Sequence, residues 1–385
     1  MKVGINGRFL CEPYTGIGQY TENLLNAMAK LRSDIEWVIV VPTVPPKSVR
    51  LPKKARLFVL SEKEKIPTTS LRKFHWEQVQ VPAIFKQEEV DVAHYPYPCN
   101  PRLGRKTAKT IVTVHDIIPW VRPEYRRRLR TRLYQKNAKK ALARADHIIS
   151  VSETTAIALS DHIRYPYERI KIIHEDASPI FSKKRLPKPK SARPYFLYVG
   201  GYDKRKNVPK LVEAFQEYVA PKFDIDLVLV GAKNRLNKHY TDLSYLQKIL
   251  KKTKIKVPQG KKHGKVIRTP SLTVKELANY YQKSLGYVNV SLAEGFNIPL
   301  LEAAHSGTPI IISDIPIHHE IVGKSGLFCN PLSSKSIGKT LLDFCQNSEL
   351  QKSLRQKSAT LSTRYSWEKA AKQTLELYGE PIWTA

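Results

Sequence analysis

The sequence predicts an α/β protein with two domains, each built on a parallel β-sheet. The chain has 385 residues, which is too long for one ordinary hydrophobic core and fits two. Short apolar runs typical of buried strands alternate with helical stretches, as in successive βαβ units. Residues 183–194 are rich in proline and lysine and lack an apolar period, which is typical of a linker. We therefore expect a first domain over 1–182 and a second over 195–365.

Each domain has its own series of predicted strands. Those of the first domain are 2–6, 37–41, 57–60, 90–94 and 110–115, and those of the second are 195–199, 227–231, 266–268, 286–290 and 309–312. Amphipathic helices are expected over Thr21–Leu31 and Val274–Tyr281. Thr273 and Glu276 have the spacing of a capping box for the second of these helices. Ser366 is expected to cap a terminal helix.

The composition is that of a globular protein with a large excess of positive charge. Hydrophobic residues make up 42%, and we expect neither a membrane span nor a signal peptide. The four cysteines have no paired spacing, so neither a zinc site nor a disulfide framework is expected, and the predicted location is cytoplasmic. Lysine and arginine number 65 against 34 acidic residues, a formal charge of +31, which favours nucleic acid, nucleotide-sugars or an anionic membrane as partners.

The densest positive segment, residues 124–140, is predicted to form a basic amphipathic helix. Leu129, Leu133 and Tyr134 interleave with its Lys and Arg residues at helical spacing. Such a helix can lie on the anionic inner face of a membrane, while nucleic-acid binding and a merely solvated face are the alternatives. We favour the membrane or an anionic acceptor, because the segment closely follows His115. Nucleic acid is not expected, since the chain lacks zinc-finger, RRM and helix-turn-helix patterns.

A stretch near the C-terminal third is predicted to form a loop, a helix and a strand. Glu294-Gly-Phe-Asn297 interrupts the apolar pattern as a loop does. Pro299 suits the first turn of a helix, where its missing N–H is not needed, and Gly307 suits a left-handed C-cap.

Glu294 and Glu302 are expected to line one crevice at this helix. Glu294 follows a strand, where open α/β sheets bind ligands, and Glu302 is expected in the first helical turn. The helix N-terminus suits a phosphate, whereas two carboxylates beside it are suited to accept hydrogen bonds from a sugar and a ribose. The alternative is that Glu302 only stabilises its own helix and that Glu294 is a solvated loop charge.

Two other loops contain glycines that let the backbone approach a ligand. After Gly200, Arg205 and Lys206 can neutralise a diphosphate, although such a pair in a loop is usually solvated. Gly16 and Gly18 form a turn at a helix start, where backbone N–H groups can meet a phosphate. Their loop is too long for the dinucleotide fingerprint, so an NAD-dependent dehydrogenase is not favoured.

His115 stands at the carboxyl end of a predicted strand, where the catalytic groups of such sheets usually lie. A lone histidine there can also pair with Asp116 or cap a helix.

The segment Glu294-Gly-Phe-Asn-Ile-Pro-Leu-Leu-Glu302 resembles the E-x7-E signature of the retaining, group 1 glycosyltransferases of family 4. The resemblance extends over nearly the whole chain. It implies the GT-B fold, with two facing Rossmann-like domains, an interdomain cleft and a terminal helix, 366–385, that packs back on the first domain. It also implies a retaining reaction that needs no metal or other cofactor. The expected donor is a nucleotide-diphospho-sugar, GDP-mannose first and a UDP-sugar second, and the expected acceptor is a glycan or lipid-linked.

The same resemblance assigns roles to residues. Lys206, before Asn207, matches the diphosphate-binding lysine, Glu294 is expected to contact the donor sugar, and Glu302 the ribose. The expected catalytic residues are His115, Glu294 and Lys206, and the expected donor-binding residues are Gly16, Gly18, Arg205, Lys206, Glu294, Phe296, Asn297, Ile298 and Glu302.

Two positions depart from the family pattern. Gly201 stands where many members have a phosphate-binding arginine, so that role is either absent or taken by Arg205. Asn297 stands where glycine is usual, and asparagine tolerates the positive φ of such a turn.

Two acidic motifs are not expected to bind metal. Asp224-Ile-Asp226 precedes a strand, which is the wrong end of a sheet for a donor site. His318-His319-Glu320 consists of neighbours whose side chains diverge, so we expect a loop that helps to position the cleft. A catalytically inactive GT-B protein, or a basic protein that binds nucleic acid or membranes, is the alternative.

Overall fold

A computed structural model describes residues 1–61, 69–99, 108–122, 129–182, 193–231, 263–269 and 272–380. The chain divides into a first unit, Met1–Glu175 with Ser366–Ala385, and a second unit, Asp176–Tyr365. Of the predicted linker, residues 183–192 lie outside the described residues.

The first unit alternates strands and helices. Its elements are β1 (Lys2–Asn6), α1 (Gly16–Leu31), β2 (Glu36–Val41), β3 (Ala55–Val59), α2 (Thr69–His75), α3 (Val81–Gln87), β4 (Val92–Tyr95), β5 (Lys109–Val114), α4 (Ile118–Val121), α5 (Leu129–Arg144), β6 (His147–Ser150), α6 (Glu153–Ile163) and β7 (Ile170–Ile172). The seven strands pair in parallel, in the order β3-β2-β1-β4-β5-β6-β7. A π-helical turn, Trp76–Gln80, joins α2 to α3.

The second unit repeats this plan. Its elements are β8 (Tyr195–Val199), α7 (Val208–Tyr218), β9 (Asp226–Val230), β10 (Val266–Thr269), α8 (Val274–Lys283), β11 (Gly286–Asn289), α9 (Ile298–His305), β12 (Ile310–Ser313), α10 (Pro316–Val322), β13 (Gly326–Cys329), α11 (Ser334–Gln346) and α12 (Ser348–Leu361). Six parallel strands lie in the order β10-β9-β8-β11-β12-β13. Counted within each unit, both sheets contain the order 3-2-1-4-5-6, which is that of dinucleotide-binding sheets. The predicted pair of Rossmann-like domains is therefore confirmed.

The inner strands are buried on both faces because helices cover both sides of a parallel sheet, whereas the edge strands β3 and β10 are partly exposed. In β8, Phe196, Leu197 and Tyr198 are fully buried, and Phe196 packs against Phe344 of α11 with ring centroids 5.8 Å apart. The packed core of each unit thus fixes the positions of its strands, and therefore also the starting positions of the loops that follow their carboxyl ends.

The terminal helix, α13 (Trp367–Gly379), belongs to the first unit and is capped by Ser366 as predicted. It ends on a buried chain of hydrogen bonds: the Tyr378 hydroxyl lies 2.7 Å from His94 Nδ1, and His94 Nε2 lies 2.8 Å from Thr113 Oγ1. Thr113 Oγ1 lies 3.0 Å from the hydroxyl of Tyr20 on α1. Burial lowers the pKa of His94 to about 3, so the ring is neutral and bonds through both nitrogens.

The basic segment is helical where it is described, as predicted. Residues 123–128 lie outside the described residues, and the helix α5 continues beyond 140 to Arg144. Among the side chains of α5 that are described, Ala138, Ala141 and Leu142 are buried and Leu133 is 54% exposed, while those of Leu129 and Tyr134 lie outside the described part. In the described part of the chain, no helix is both long enough and apolar enough to span a bilayer.

Candidate active site

Two loops of the second unit emerge side by side where its strand order reverses. Strands β8 and β11 are neighbours in the sheet, the loop after β8 carries Arg205 and Lys206, and the loop after β11 carries Glu294. Ligands of open parallel sheets bind in the crevice at the carboxyl ends of such a strand pair. These loops are therefore the candidate active site of this unit.

Glu294 binds both cations of the neighbouring loop. Its Oε1 accepts a hydrogen bond from Lys206 Nζ at 2.5 Å, and its Oε2 accepts one from Arg205 Nη1 at 2.5 Å. The Ser291 hydroxyl donates to Oε1 at 2.7 Å. Lys206 and Glu294 are 88 positions apart in the sequence, so the sheet topology brings them together. We call Arg205, Lys206 and Glu294 the cation–carboxylate cluster.

The cation–carboxylate cluster is mostly buried and has an excess of one positive charge. The side chains of Glu294, Lys206 and Arg205 are 5%, 12% and 19% exposed. Burial by itself raises the pKa of Glu294, but Lys206 and Arg205 outweigh it and hold that pKa well below its usual value. Burial lowers the pKa of Lys206, against the opposing attraction of Glu294. The cluster thus holds an ionised carboxylate and can attract an anion.

Arg205 also fixes the loop that carries Glu294. Its Nη1 donates to the carbonyl oxygen of Ala293 at 3.1 Å, and its own carbonyl oxygen accepts from the N–H of Leu292 at 2.7 Å. The two loops are therefore joined through backbone as well as side-chain atoms, which limits how far the three charges can move apart.

The helix α9 begins as the sequence predicted. Asn297 has φ 81°, Pro299 is the second helical residue, and Gly307 has φ 66° just beyond the helix. The Asn297 side chain does not cap the helix: its Oδ1 accepts a hydrogen bond from the Tyr287 hydroxyl at 3.4 Å, and its Nδ2 donates to His318 Nε2 at 3.0 Å. Phe296 and Ile298, on either side, are buried.

His318 supports this loop from a helix, so the predicted loop at 318–320 is wrong. The residue lies in α10, fully buried, and its Nδ1 donates to the Ser313 carbonyl oxygen at 2.9 Å. Burial lowers the pKa of His318 to about 4. The neutral ring therefore donates at Nδ1 and accepts from Asn297 at Nε2. The available sequence signal for a helix start was Pro316, because proline is common at the first position of a helix.

Glu302 is the fifth residue of α9 rather than part of its first turn, because the helix begins at Ile298. Its side chain is buried, and its Oε2 accepts a hydrogen bond from the Tyr281 hydroxyl at 2.9 Å. Burial, followed by the charge of Glu302, raises the pKa of Tyr281 well above its usual value, so the tyrosine remains a donor. The contact of Glu302 with a ribose stays a prediction.

His115 lies in the first unit, after β5, and an oxygen atom lies close to each nitrogen of its ring. Nδ1 is 2.7 Å from Oε1 of Glu175, which is buried, and Nε2 is 2.9 Å from the carbonyl oxygen of Pro96. Asp116 instead accepts from the N–H of Ile118, so the alternative pairing of His115 with Asp116 is wrong. Glu175 was not predicted from the sequence, where the acidic pair that follows strand β7 was the available signal. The role of His115 beside a sugar stays a prediction.

Gly16 and Gly18 both lie in the first turn of α1, in the first unit, but only one position requires glycine. A Cβ on Gly18 would lie 2.5 Å from the Glu12 carbonyl oxygen, whereas one on Gly16 would meet no atom within 4 Å. The N–H of Gly18 donates to the Thr15 hydroxyl at 3.1 Å. Gly18 therefore serves packing and capping, and open space adjoins Gly16.

No group of three or more His, Cys, Asp or Glu side chains within the described ranges is arranged to hold a metal ion. The Asp224 carboxylate pairs with Arg193 at 2.9 Å, and Asp226 accepts from the N–H of Lys265 at the amino end of β9.

Two family descriptions match successive parts of the chain. "Glycosyltransferase Family 4" matches residues 14–175, and "Glycosyl transferases group 1" matches residues 181–360, which include the whole cation–carboxylate cluster. The chain belongs to the group 1, family 4 glycosyltransferases. The enzyme class that the E-x7-E segment indicated is thereby confirmed.

Relatives and solved structures agree with this glycosyltransferase assignment. O-antigen chain mannosyltransferase B of Escherichia coli is 24% identical over 388 residues, which cover 95% of this chain and 96% of that protein. O-antigen chain mannosyltransferase RfbU of Salmonella typhimurium strain LT2 is 27% identical over 226 residues, 58% of each chain. The structure of sucrose-phosphate synthase from Thermosynechococcus elongatus has a TM-score of 0.76 at 19% identity and covers 98% of both chains. That likeness confirms the GT-B fold.

Proposed function

We propose that this glycosyltransferase is a mannosyltransferase that uses GDP-mannose, with a UDP-sugar as the second choice of donor. We propose a growing polysaccharide or lipid-linked glycan as the acceptor. The observation that carries the proposal is the match to O-antigen chain mannosyltransferase B along 95% of the chain. The charge of the cation–carboxylate cluster fits a diphosphate donor.

Lys206 and Arg205 are the proposed diphosphate ligands. They reach the carboxyl edge of the sheet on one short loop, and both present charged N–H donors to oxygen atoms at 2.5 Å. Charge-assisted bonds of this kind suit phosphate oxygens. Negative charge grows on the leaving diphosphate in the transition state, and two fixed cations stabilise it without reorganisation. Arg205 in this way takes the role of the arginine absent at Gly201.

The start of α9 is proposed to help stabilise the negative charge of the leaving diphosphate. Its first N–H groups are left uncapped by Asn297, and a helix N-terminus carries a partial positive charge. Glu302, one turn later, is proposed to accept from the ribose hydroxyls, and Gly16 to offer a backbone donor. With these groups and two cations in place, we propose that the reaction needs no metal ion.

Glu294 is proposed to contact the hydroxyl groups of the donor sugar and to retain its negative charge. A carboxylate bound by two cations and the Ser291 hydroxyl is a poor nucleophile. We therefore propose retention of configuration by front-face attack of the acceptor on an oxocarbenium-like sugar, with a leaving-phosphate oxygen as the base.

The test is transfer from a panel of nucleotide-sugars to mannose-terminated oligosaccharides, with the products analysed by mass spectrometry and NMR. We expect GDP release and an α-linked product with GDP-mannose. Lys206→Ala should abolish both, and Lys352→Ala, an exposed lysine of α12, should not. Turnover of no nucleotide-sugar would refute the proposal, and a product of inverted configuration would refute its retaining mechanism.

We also propose that α5 binds an anionic membrane surface beside the acceptor. Arg132, Lys136, Lys139 and Lys140 are exposed at helical spacing together with Leu133. Cosedimentation with vesicles containing phosphatidylglycerol should be lost when Lys136, Lys139 and Lys140 are replaced by glutamate, and neutral vesicles should bind neither protein. Equal binding of both proteins to the anionic vesicles would contradict this proposal.

A further inference from the structure

We infer that Glu294 is an internal competitor of the nucleoside diphosphate product, so that the site holds the sugar-bearing donor in preference to the spent nucleotide. The inference rests on the proposed function and deepens it. Its basis is that the two side chains assigned to the diphosphate, Arg205 and Lys206, both bind the carboxylate of Glu294. The carboxylate and the diphosphate therefore need the same two cations.

A phosphate held by this pair must lie close to Glu294. Both cation–carboxylate distances are 2.5 Å. A charge-assisted bond from the same nitrogen atoms to a phosphate oxygen is about 2.8 Å long, so the two sets of oxygen atoms lie within about 5 Å of each other. Because the Glu294 side chain is only 5% exposed, water and salt screen this repulsion poorly.

The donor relieves this repulsion and the product does not. The hydroxyl groups of a bound sugar can donate to the Glu294 carboxylate. Transfer breaks the bond between sugar C1 and the phosphate oxygen, whose electron pair stays on that oxygen. C1 bonds to the acceptor oxygen, and the hydroxyl proton passes through the phosphate to solvent. The terminal phosphate, with a second pKa of about 6, thus gains nearly a full negative charge at pH 7 just as the sugar hydroxyls depart.

The cations need not be left unpaired when the product leaves. A buried charge without a partner is costly, so release of a diphosphate from Lys206 and Arg205 would otherwise be slow. Glu294 can take both cations back, since Ser291 holds it and the Arg205 backbone joins the two loops. Repulsion of the product and re-formation of the ion pairs then both favour release of the nucleoside diphosphate.

The two possible roles of Glu294, a competitor of the diphosphate or only a sugar contact, predict different changes in nucleoside diphosphate affinity when its charge is removed. If Glu294 only bound the sugar, removing its charge would weaken donor binding and leave nucleoside diphosphate binding unchanged. If it competes with the diphosphate, removing its charge should strengthen nucleoside diphosphate binding while transfer is lost.

The test compares the binding of GDP and GDP-mannose by titration calorimetry to the wild-type protein, Glu294→Gln, Glu294→Ala and Ser291→Ala. UDP and UDP-glucose replace them if the wild-type protein binds only uridine nucleotides. We expect the Kd of GDP to fall at least about tenfold in both Glu294 variants, while the Kd of GDP-mannose does not fall. Two variants are used because one of them can fail to fold, which circular dichroism would show.

Ser291→Ala is the matched control, since it removes a hydrogen bond to Glu294 and keeps the charge. Its Kd for GDP should stay within about twofold of wild type, since no charge changes. If Ser291→Ala gained as much GDP affinity as the Glu294 variants, the gain would come from a loosened loop and not from the lost charge, and the inference would be overturned. Unchanged or weaker GDP binding in both Glu294 variants would also overturn it, with the proposed function intact. A wild-type protein that binds no nucleotide would refute the proposed function itself.

Discussion

Replacing His318 by glutamine is expected to remove most of the acid sensitivity of the second unit between pH 7 and pH 5. His318 is fully buried between the Ser313 carbonyl oxygen and the Asn297 amide. Its burial lowers the pKa from 6.5 to about 4. Protonation would place a second N–H against the Asn297 amide, which is itself a donor there, so the charged ring has no partner for its added proton.

The direction of the effect follows from proton binding in the two states. Between pH 6.5 and about 4 the unfolded chain binds a proton at this ring and the folded chain does not. The stabilisation is therefore complete above pH 6.5 and is lost as the pH falls. One pKa unit corresponds to about 1.4 kcal/mol, which gives a loss of about 2 kcal/mol at pH 5 and about 3 kcal/mol at pH 4.

Hydrogen exchange with mass spectrometry can resolve this effect by unit. Peptides from β11, β12 and α10, corrected for the intrinsic pH dependence of exchange, should lose about 2 kcal/mol of opening free energy at pH 5 in the wild-type protein and much less in His318→Gln. His94→Gln is the matched control, because His94 is a buried histidine of the first unit with a pKa lowered to about 3. That variant should change the pH response of first-unit peptides only. If the peptides from β11, β12 and α10 of His318→Gln still lose about 2 kcal/mol of opening free energy at pH 5, His318 is not the cause of the acid sensitivity.

Three further predictions concern ligand affinity and the backbone. Lys206→Met should weaken GDP binding by about 10- to 100-fold in calorimetry, since one charge-assisted bond to phosphate is lost; unchanged affinity would contradict its role. Gly18→Ala should cost about 1–3 kcal/mol, since its Cβ would lie 2.5 Å from a carbonyl oxygen, whereas Gly16→Ala, with open space, should be neutral or stabilising in thermal melts. Equal melting temperatures would contradict this contrast. Asn297→Ala should be less stable than Asn297→Gly by about 1 kcal/mol, because both lose the bond to His318 and only alanine is strained at φ 81°; the reverse order in urea titrations would refute it.

The local features of the site could be predicted because their causes lie within a few residues. The positive φ of Asn297 and Gly307 and the place of Pro299 follow from side-chain types that tolerate or require those conformations. The capping box of Thr273 and Glu276 is formed with both of its hydrogen bonds. Each of the ten predicted strands lies within one or two residues of an observed strand, and most of them are buried parallel strands, which are continuous apolar runs. The short edge strands β7 and β13 were not predicted.

The partners of the site residues could not be predicted from spacing, because they depend on which strands are neighbours. Arg205 meets Glu294 only because β8 lies next to β11, and these residues are 89 positions apart. His115 meets Glu175, after β7, rather than the adjacent Asp116. Hydrophobic periodicity identifies strands and says nothing of their order. If the strand order 3-2-1-4-5-6 had been assumed for each sheet, β8 and β11 would have been neighbours, and the contact between Arg205 and Glu294 could have been predicted.

The two site loops of the second unit use the same helix start, and this explains why asparagine is suitable at a position where glycine is usual. Asn207-Val-Pro209 begins α7 and Asn297-Ile-Pro299 begins α9. Both asparagines have positive φ, at 55° and 81°, and neither side chain caps its helix. An asparagine N-cap normally has extended backbone and accepts from the first turn, for about 1 kcal/mol.

Here each amide instead ties its loop to the rest of the unit. Asn207 donates to the carbonyl oxygens of Val290 and Pro331, and Asn297 donates to His318. The lost caps are offset by these bonds, and the first N–H groups of both helices are left to other acceptors. Since α7 and α9 follow the two strands at the point where strand order reverses, both partial positive charges lie on the side of the cation–carboxylate cluster. A glycine at 297 would allow the turn but could not make the bond to His318, so the departure from the family pattern strengthens the loop that carries Glu294.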